Sequence, residues 1–332
     1  MLYFWDLVTG LFQKRIISET KTTLEAFNKE TANRHELQVV SSLEERDAYF
    51  LRNFPSVGYS NPLDFRWVKK GKTKASLTLA ISENLEAVSL PLCPFGGLWI
   101  EENLSSAEVD EFIKAVLDDL RQRGVSAIRI VQAPKPYEPN FDLINYLLFK
   151  NGFELESLLS HHFFIGKKKI KKFVQKDYAK FITKSKELGL SIQTGPISNF
   201  GFLQEIKSWN QERGYAILFD EKRLISQVSN FPERYFLISI IKEGKALAHT
   251  LGVKLLPDSI YYFLAAIQPK TSVKNLGEIC LYQLFQLASD QRLNFIDLGS
   301  SDLNLGTNHN LMFFKSRFSN DISNKVTWTL KL

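Results

Sequence analysis

Apolar positions recur along this chain with two periods, one of strands and one of helices. Residues 74–81 alternate apolar and polar side chains, which predicts a half-buried strand, and residues 85–92 predict another after the turn at Glu83-Asn84. Before them, residues 37–40 predict a short strand, residues 43–54 a helix capped by Ser42, and residues 62–69 a further short helix. A long helical periodicity begins after Ser105-Ser106, runs to Arg123 and is stopped by Gly124. Residues 127–131 form a predicted strand halted by Pro134 and Pro136. Residues 140–150 predict a helix stopped at Gly152, and residues 153–165 a strand rich in aromatics.

The second half opens on a predicted helix over 167–186, then passes Gly189 into a strand at 190–193. Helices follow at 199–213 and 221–228, and strands at 236–241, 246–255 and 260–267, with turns at Glu243-Gly244 and Pro257-Asp258. A helix over 277–291, a strand over 294–298, a helix over 309–318 and a strand over 326–332 complete the chain. The order of elements is the same in both halves, which predicts an internal duplication. One segment carries it in residues: Phe149-Lys150-Asn151-Gly152-Phe153 in the first half is matched by Phe314-Lys315-Ser316-Arg317-Phe318 in the second. The expected organisation is an extension over 1–36, one α/β domain over 37–166, and a second over 167–332 that begins with a basic linker helix at 167–189.

Length agrees with that division, since 332 residues suit two cores of about 150 residues each. The net charge of +6 and a pI near 9.0 favour anionic ligands such as phosphates, nucleic acid or acidic lipid. Nine of the lysines fall between Lys167 and Lys186, interleaved with Ile170, Phe173, Val174, Tyr178, Phe181 and Ile182 at helical spacing. Such a helix presents a basic face that is either merely solvated or a phosphate-binding surface, with tRNA as one partner it would suit. Cys93 and Cys280 are far apart and lack a partner motif, so neither a disulfide framework nor a thiolate metal cluster is expected. The expected compartment is the reducing cytoplasm.

Residues 1–12 are apolar and aromatic, but Asp6 interrupts the run and Lys14 and Arg15 follow it, the reverse of a secretory signal. No stretch approaches the roughly 20 apolar residues of a spanning helix, so an N-terminal helix packed on the protein is expected, with a membrane-surface anchor as the alternative. Catalytic signatures of other classes are missing: there is no nucleophile elbow and no His-Glu-x-x-His helix, and His161-His162 on a strand point to opposite faces. No metal site is expected.

Two segments near the end carry a resemblance. Phe295-Ile296-Asp297-Leu298-Gly299-Ser300-Ser301, followed by Phe314-Lys315-Ser316-Arg317-Phe318, is similar to the Asp-x-Gly strand end and the Phe-Lys-x-x-Phe helix end of Fem-related peptidyltransferases. Pro94-Phe95-Gly96-Gly97 and the Gly152-Phe153 step resemble the amino-terminal domain of the same family, and the likeness runs from about residue 37 to the end. It implies an α/β fold of two tandem GNAT-like (acyl-CoA N-acyltransferase) domains. It also implies an N-acyltransferase that passes an acyl or aminoacyl group to an amine of a cell-envelope precursor, saccharide or similar metabolite. The donor would be acyl-CoA or aminoacyl-tRNA, with no permanently bound cofactor, and the chain a monomer or weak oligomer. A different class of function is a non-catalytic GNAT-like module that binds an acidic partner or nucleic acid.

The resemblance maps Lys315 to a lysine that faces substrate, where a cation holds phosphate or developing negative charge; an exposed helix lysine is the other role. Asp297 is placed as a general base or amine anchor, or else as the cap of its turn, and Tyr262 as an acid or positioning group. Gly299, Ser300, Asn310, Phe314 and Tyr261 form the expected substrate-binding set. Tyr261 and Tyr262 alternate on a strand, so one of the two is expected to face the cleft. The loop Gln268-Pro269-Lys270-Thr271-Ser272-Val273-Lys274-Asn275-Leu276-Gly277 stands where GNAT domains carry a glycine-rich pyrophosphate loop. It departs from that pattern in length and residues, leaving Gln268, Lys270, Lys274 and the helix-opening Gly277 as the donor-binding candidates. If one half keeps the chemistry, the second is expected to, because the first has Arg129-Ile130-Val131 where the second has Asp297-Leu298-Gly299.

Overall fold

The structure, a computed structural model, describes residues 34–41, 49–54, 56–214, 219–303 and 306–332. The N-terminal apolar run, the Ser42 cap and the start of the helix expected over 43–54 lie outside the described residues. Phe50–Asn53 at the end of that stretch is one short 3₁₀ turn.

In the first half, β1 (Glu36–Ser41), β2 (Leu63–Lys69) and β3 (Lys72–Ile81) form an antiparallel meander, flanked by β4 (Glu86–Ser89) and the short β5 (Leu98–Ile100). Helix α1 (Ser106–Gln122) returns the chain so that β6 (Ala127–Gln132) lies parallel to β4. Its start is a capping box: the Ser105 hydroxyl accepts from the Glu108 N–H, and the Glu108 carboxylate accepts from the Ser105 N–H at 2.8 Å. Val109, Phe112, Ile113, Val116, Leu117 and Leu120 form its buried stripe at helical spacing. Helix α2 (Phe141–Lys150) and strand β7 (Glu154–Ile165) close this half.

The second half has the same later order, three strands, a helix, a strand, a helix and a strand, but it opens with helices where the first half has, among the described residues, only a 3₁₀ turn between β1 and β2. Helix α3 (Lys167–Glu187) leads into β8 (Leu190–Pro196). Helices α4 (Gly201–Glu212) and α5 (Glu221–Asn230) precede the meander β9 (Tyr235–Lys242), β10 (Lys245–Val253) and β11 (Ser259–Ile267). Helix α6 (Leu276–Asp290) then carries the chain to β12 (Phe295–Ser300), parallel to β11. A two-residue pair, β13 (Asp302–Leu303) with β14 (Gly306–Thr307), precedes α7 (His309–Ser316) and the last strand β15 (Asp321–Lys331).

Both halves join one sheet in the order β1-β2-β3-β4-β6-β15-β7-β12-β11-β10-β9-β8, with β5 beside β3. The closing strands are exchanged: β15 from the end of the chain pairs with β6, and β7 from the first half pairs with β12. They also pair antiparallel with each other. Each half of the sheet is therefore completed by the other half's last strand, which places His161 of β7 against second-half residue Asp297; Tyr137, in the loop after β6, meets the same carboxylate.

One element departs from its expectation. Residues 62–69 form strand β2 rather than a helix, with Phe65 and Trp67 fully buried against α1 and paired to β1 and β3. Pro62 looked like a helix start, but Phe65-x-Trp67 at spacing two only buries both rings in an extended chain. The strand expected at 85–92 is also shorter, Glu86–Ser89. The basic helix is amphipathic as expected. Ile170 and Val174 are buried, Phe173 and Phe181 stack on Tyr282 of α6, and Lys167, Lys168, Lys169, Lys171, Lys172, Lys176 and Lys186 are exposed.

Candidate functional site

Strands β11 and β12 stay side by side only from Ser259↔Phe295 through Tyr261↔Asp297. Beyond Tyr261 a register shift against β10 turns β11 away, while β12 continues into Leu298-Gly299-Ser300. The gap between them is a cleft of about 490 Å³, walled by Tyr261, Tyr262, Leu298, Gly299, Ser300 and Lys315 together with residues of α4, β10 and α6. Both tyrosines line it although they alternate in regular register, Tyr261 opposite Val253 and Tyr262 opposite Gly252, because β11 parts from β12 at this point and opens the cleft to both.

Lys315 sits in the last turn of α7 and is only 5 % exposed. Its ammonium donates to the Ser300 carbonyl. Burial lowers its pKa to about 8, against the opposing pull of Asp297 and Asp302. A lysine with that pKa changes charge near neutrality. Gly299 takes a left-handed turn close to Tyr261. With φ +71°, a Cβ here would lie 3.3 Å from the Tyr261 ring and 3.8 Å from Lys315 Nζ.

Asp297 is fully buried beneath Gly299 and is not part of the cleft wall. One carboxylate oxygen accepts from the Gly299 N–H at 2.7 Å and lies 3.2 Å from His161 Nδ1; the other accepts from the Tyr137 hydroxyl at 3.2 Å. Burial, and then the charge of Asp297, pushes the Tyr137 phenol well above its ordinary range, and Tyr261 moves the same way for the same reasons. Both keep their protons to donate. Lys325 of β15 donates to the Pro94 carbonyl at 3.2 Å, and burial lowers its pKa. On the other face of β7, burial and then Lys315 lower the pKa of His162.

The other expected residues fall in two groups. Ser300, Asn310, Tyr262 and Gly277 line the cleft, and Phe314 packs behind Gly277, where a Cβ would come within 3.6 Å of its ring. Gly277 lies in the first turn of α6, whose leading N–H groups have no partner within the helix. Gln268, Lys270 and Lys274 are not in the wall. The Gln268 N–H donates to Leu247, Lys270 Nζ lies 3.2 Å from Glu212, and Lys274 is exposed.

Three features escaped the sequence. The closing-strand exchange brings His161 to Asp297 across 136 residues of separation, and the loop after β6 brings Tyr137 to it across 160, so no local motif contains them. Arg213 and Asn210 reach the cleft from α4. Buried His249 is hydrogen-bonded on both ring nitrogens and lies between the cleft and a second cavity. The alternation of β9 and β10 held the only available signal, since it sets Ser239 opposite His249. Among the described residues no group of His, Cys, Asp and Glu is placed to hold a metal ion, and no helix is long and apolar enough to cross a membrane.

No family model matches the sequence, and no curated protein is similar to it. Solved structures are. The crystal structure of FemX superposes with a TM-score of 0.61 at 11% identity, covering 83% of this chain and 89% of that one. A conserved protein of unknown function from Bacteroides thetaiotaomicron VPI-5482 gives 0.55 at 14% identity, covering 88% and 94%. The C-terminal domain of a protein described as a lysylphosphatidylglycerol synthetase, from Agrobacterium fabrum, gives 0.51 at 9% identity, covering 77% and 81%. With its mixed sheet, its two splayed parallel strand pairs and its exchanged closing strands, this chain has the Fem-type, GNAT-like fold.

Proposed function

We propose that the chain is an N-acyltransferase that passes an acyl or aminoacyl group to an amine of a cell-envelope precursor. The observation that carries this reading is Lys315. It is a desolvated cation at the floor of a cleft, beside a glycine turn that clears the space in front of it. Acyl transfer from an ester or thioester needs an amine held against the carbonyl, and a positive group where the tetrahedral oxyanion forms. No covalent nucleophile is required. Lys315 takes the electrostatic role, Tyr262 and Tyr261 offer neutral hydroxyls to position the reacting groups, and Asn310 and Ser300 bond the substrate. Asp297 acts as a positioning residue, because its oxygens are committed to Gly299, Tyr137 and the His161 ring.

Aminoacyl-tRNA is favoured as donor over acyl-CoA. Lys270 and Lys274, the lysines expected to grip a pyrophosphate, stand outside the cleft, with Lys270 paired to Glu212. The exposed lysine face of α3 suits a polyanionic backbone. The names of two similar structures, FemX and a lysylphosphatidylglycerol synthetase, agree with an envelope substrate.

The test is incubation of the purified chain with a panel of charged tRNAs and, separately, of acyl-CoA thioesters, in the presence of envelope-precursor extract. New amides are detected by mass. Amide formed from charged tRNA, and lost in Lys315→Met, is the expected result. Transfer from acyl-CoA alone would replace the donor assignment. No amide from either panel, or full turnover in Lys315→Met, would overturn the reading.

A further inference from the structure

Behind the cleft, on the other side of His249, lies a second cavity of about 650 Å³ at the sheet edge formed by β8. Its floor is one cross-strand row of the sheet: Gln193 of β8 pairs with Ser239 of β9, which pairs with His249 of β10. Helix α4 roofs part of the row and contributes Glu205. The polar groups are tightly ordered. His249 Nε2 lies 2.7 Å from Glu205 Oε2, and His249 Nδ1 lies 2.9 Å from Ser239 Oγ. The Trp209 indole stacks on the imidazole at 8° and 5.3 Å, which fixes the ring plane.

These contacts define which groups are left to a ligand. A carboxylate only accepts, so the Nε2 proton belongs to the bond with Glu205. In the neutral imidazole, Nδ1 then accepts from the Ser239 hydroxyl. Ser239 Oγ keeps its lone pairs, and the second oxygen of Glu205 is uncommitted in a side chain 47 % exposed. The floor thus offers acceptors beside a negative charge. The rest of the wall is uncharged, polar at Thr194, Ser198, Asn199 and Gln204 and apolar at Phe202, Leu237 and Ile241, and it contains no lysine or arginine although the chain carries a net charge of +6.

The Ser–His–carboxylate order invites a hydrolytic reading, but Ser239 lies in the middle of β9, between β8 and β10, rather than on a turn with free N–H groups beside it to hold an oxyanion. Binding is the function that the arrangement supports.

We propose that this cavity binds a small organic ammonium that also carries hydroxyl groups, its cation against Glu205 and its hydroxyls against the amide and hydroxyl wall. The site is separate from the Lys315 cleft and does not rest on the acyl-transfer reading, but His249 is a wall of both. The test uses full-length protein labelled in its histidine rings. D-glucosamine, ethanolamine, D-glucose and acetate are titrated while the His249 resonances are followed, with calorimetry in parallel. Saturable shifts of His249 with glucosamine, weaker ones with ethanolamine and none with acetate are expected. Glu205→Gln, at a half-exposed helix position that preserves the fold, is expected to weaken glucosamine at least tenfold with an unchanged melting temperature. Equal affinity for glucose and glucosamine, unchanged affinity in Glu205→Gln, or no saturable shift with either amine would each overturn the proposal.

Discussion

The two halves of the sheet contain the same device and put it to opposite uses. In the first, β4 and β6 run parallel from Glu86↔Ala127 to Val88↔Arg129 and then part, as β11 and β12 do in the second. The first gap is filled by the chain itself. Gly96 bridges to Gln132, its N–H donates to the Val131 carbonyl at 2.9 Å, and the Gln132 side chain bonds both the N–H and the carbonyl of Leu98. Phe95, fully buried, stacks on Tyr49 and packs on Tyr137. In the second half no such segment enters among the described residues, and the gap is the cleft. The matched lysines follow suit: Lys150 at the end of α2 is exposed, its ammonium 5.6 Å from the Tyr146 ring, whereas Lys315 at the end of α7 is buried at the cleft floor. The difference teaches that the same parting of parallel strands occurs in both halves, and that one loop decides which of the two openings is closed.

The plug is the place where the contrast is broken most forcefully. Gly97 has φ +81°, and a Cβ there would sit 2.4 Å from Gln132 Oε1 and 2.9 Å from Gln132 Cα. Gly97→Ala is therefore expected to cost at least about 3 kcal/mol, through left-handed strain and the loss of the Gln132 bonds. Denaturant unfolding measures it; a cost under about 1 kcal/mol would mean that the plug does not hold the first half shut.

The next effect depends on pH. Burial lowers the Lys315 pKa from 10.5 to about 8, so the folded state resists a charge that the unfolded state accepts. The cost, about 3 kcal/mol, is fully present below pH 8 and disappears as pH rises towards 10.5. Lys315→Met removes this cost and also removes a hydrogen bond worth about 1 kcal/mol. The variant is expected to be more stable than the native chain by about 2 kcal/mol at pH 7 and less stable by about 1 at pH 10.5. Unfolding curves at the two pH values that show no change of sign would contradict the burial of this charge.

Gly299→Ala is expected to cost about 1–2 kcal/mol, less than its counterpart at Gly97, because the crowding atoms are a tyrosine ring edge and a lysine tip rather than backbone. Its diagnostic is a displaced Lys315 titration in the variant. The smallest effect belongs to Lys150→Met, within about 0.5 kcal/mol of native at either pH, since an exposed lysine near a ring contributes little.

Most of the element order was legible because strand and helix periods are strong in this chain. The 106–122 helix declares its cap, its stripe and its stop. Residues 62–69 were not legible, since Pro62 and a run with two buried faces imitate a helix until the neighbouring strands are known. Of the candidate cleft, Lys315, Gly299 and Ser300 stand on two short segments legible in the sequence, while His161 and Tyr137 were not legible because an exchanged strand and a distant loop bring them to Asp297. The Tyr261-Tyr262 pair misled in an instructive way. The two do alternate, opposite Val253 and Gly252, yet both line the cleft because β11 parts from β12 there, which one strand's pattern does not show.

The central claim, that Lys315 is a desolvated cation at the cleft and its counterpart Lys150 is not, is tested most directly by site-resolved NMR titration of the lysine ammonium groups. One resonance titrating near pH 8, absent from Lys315→Met and unaffected in Lys150→Met, is the predicted result. A Lys315 resonance titrating beside the exposed lysines near 10.5 would contradict the account.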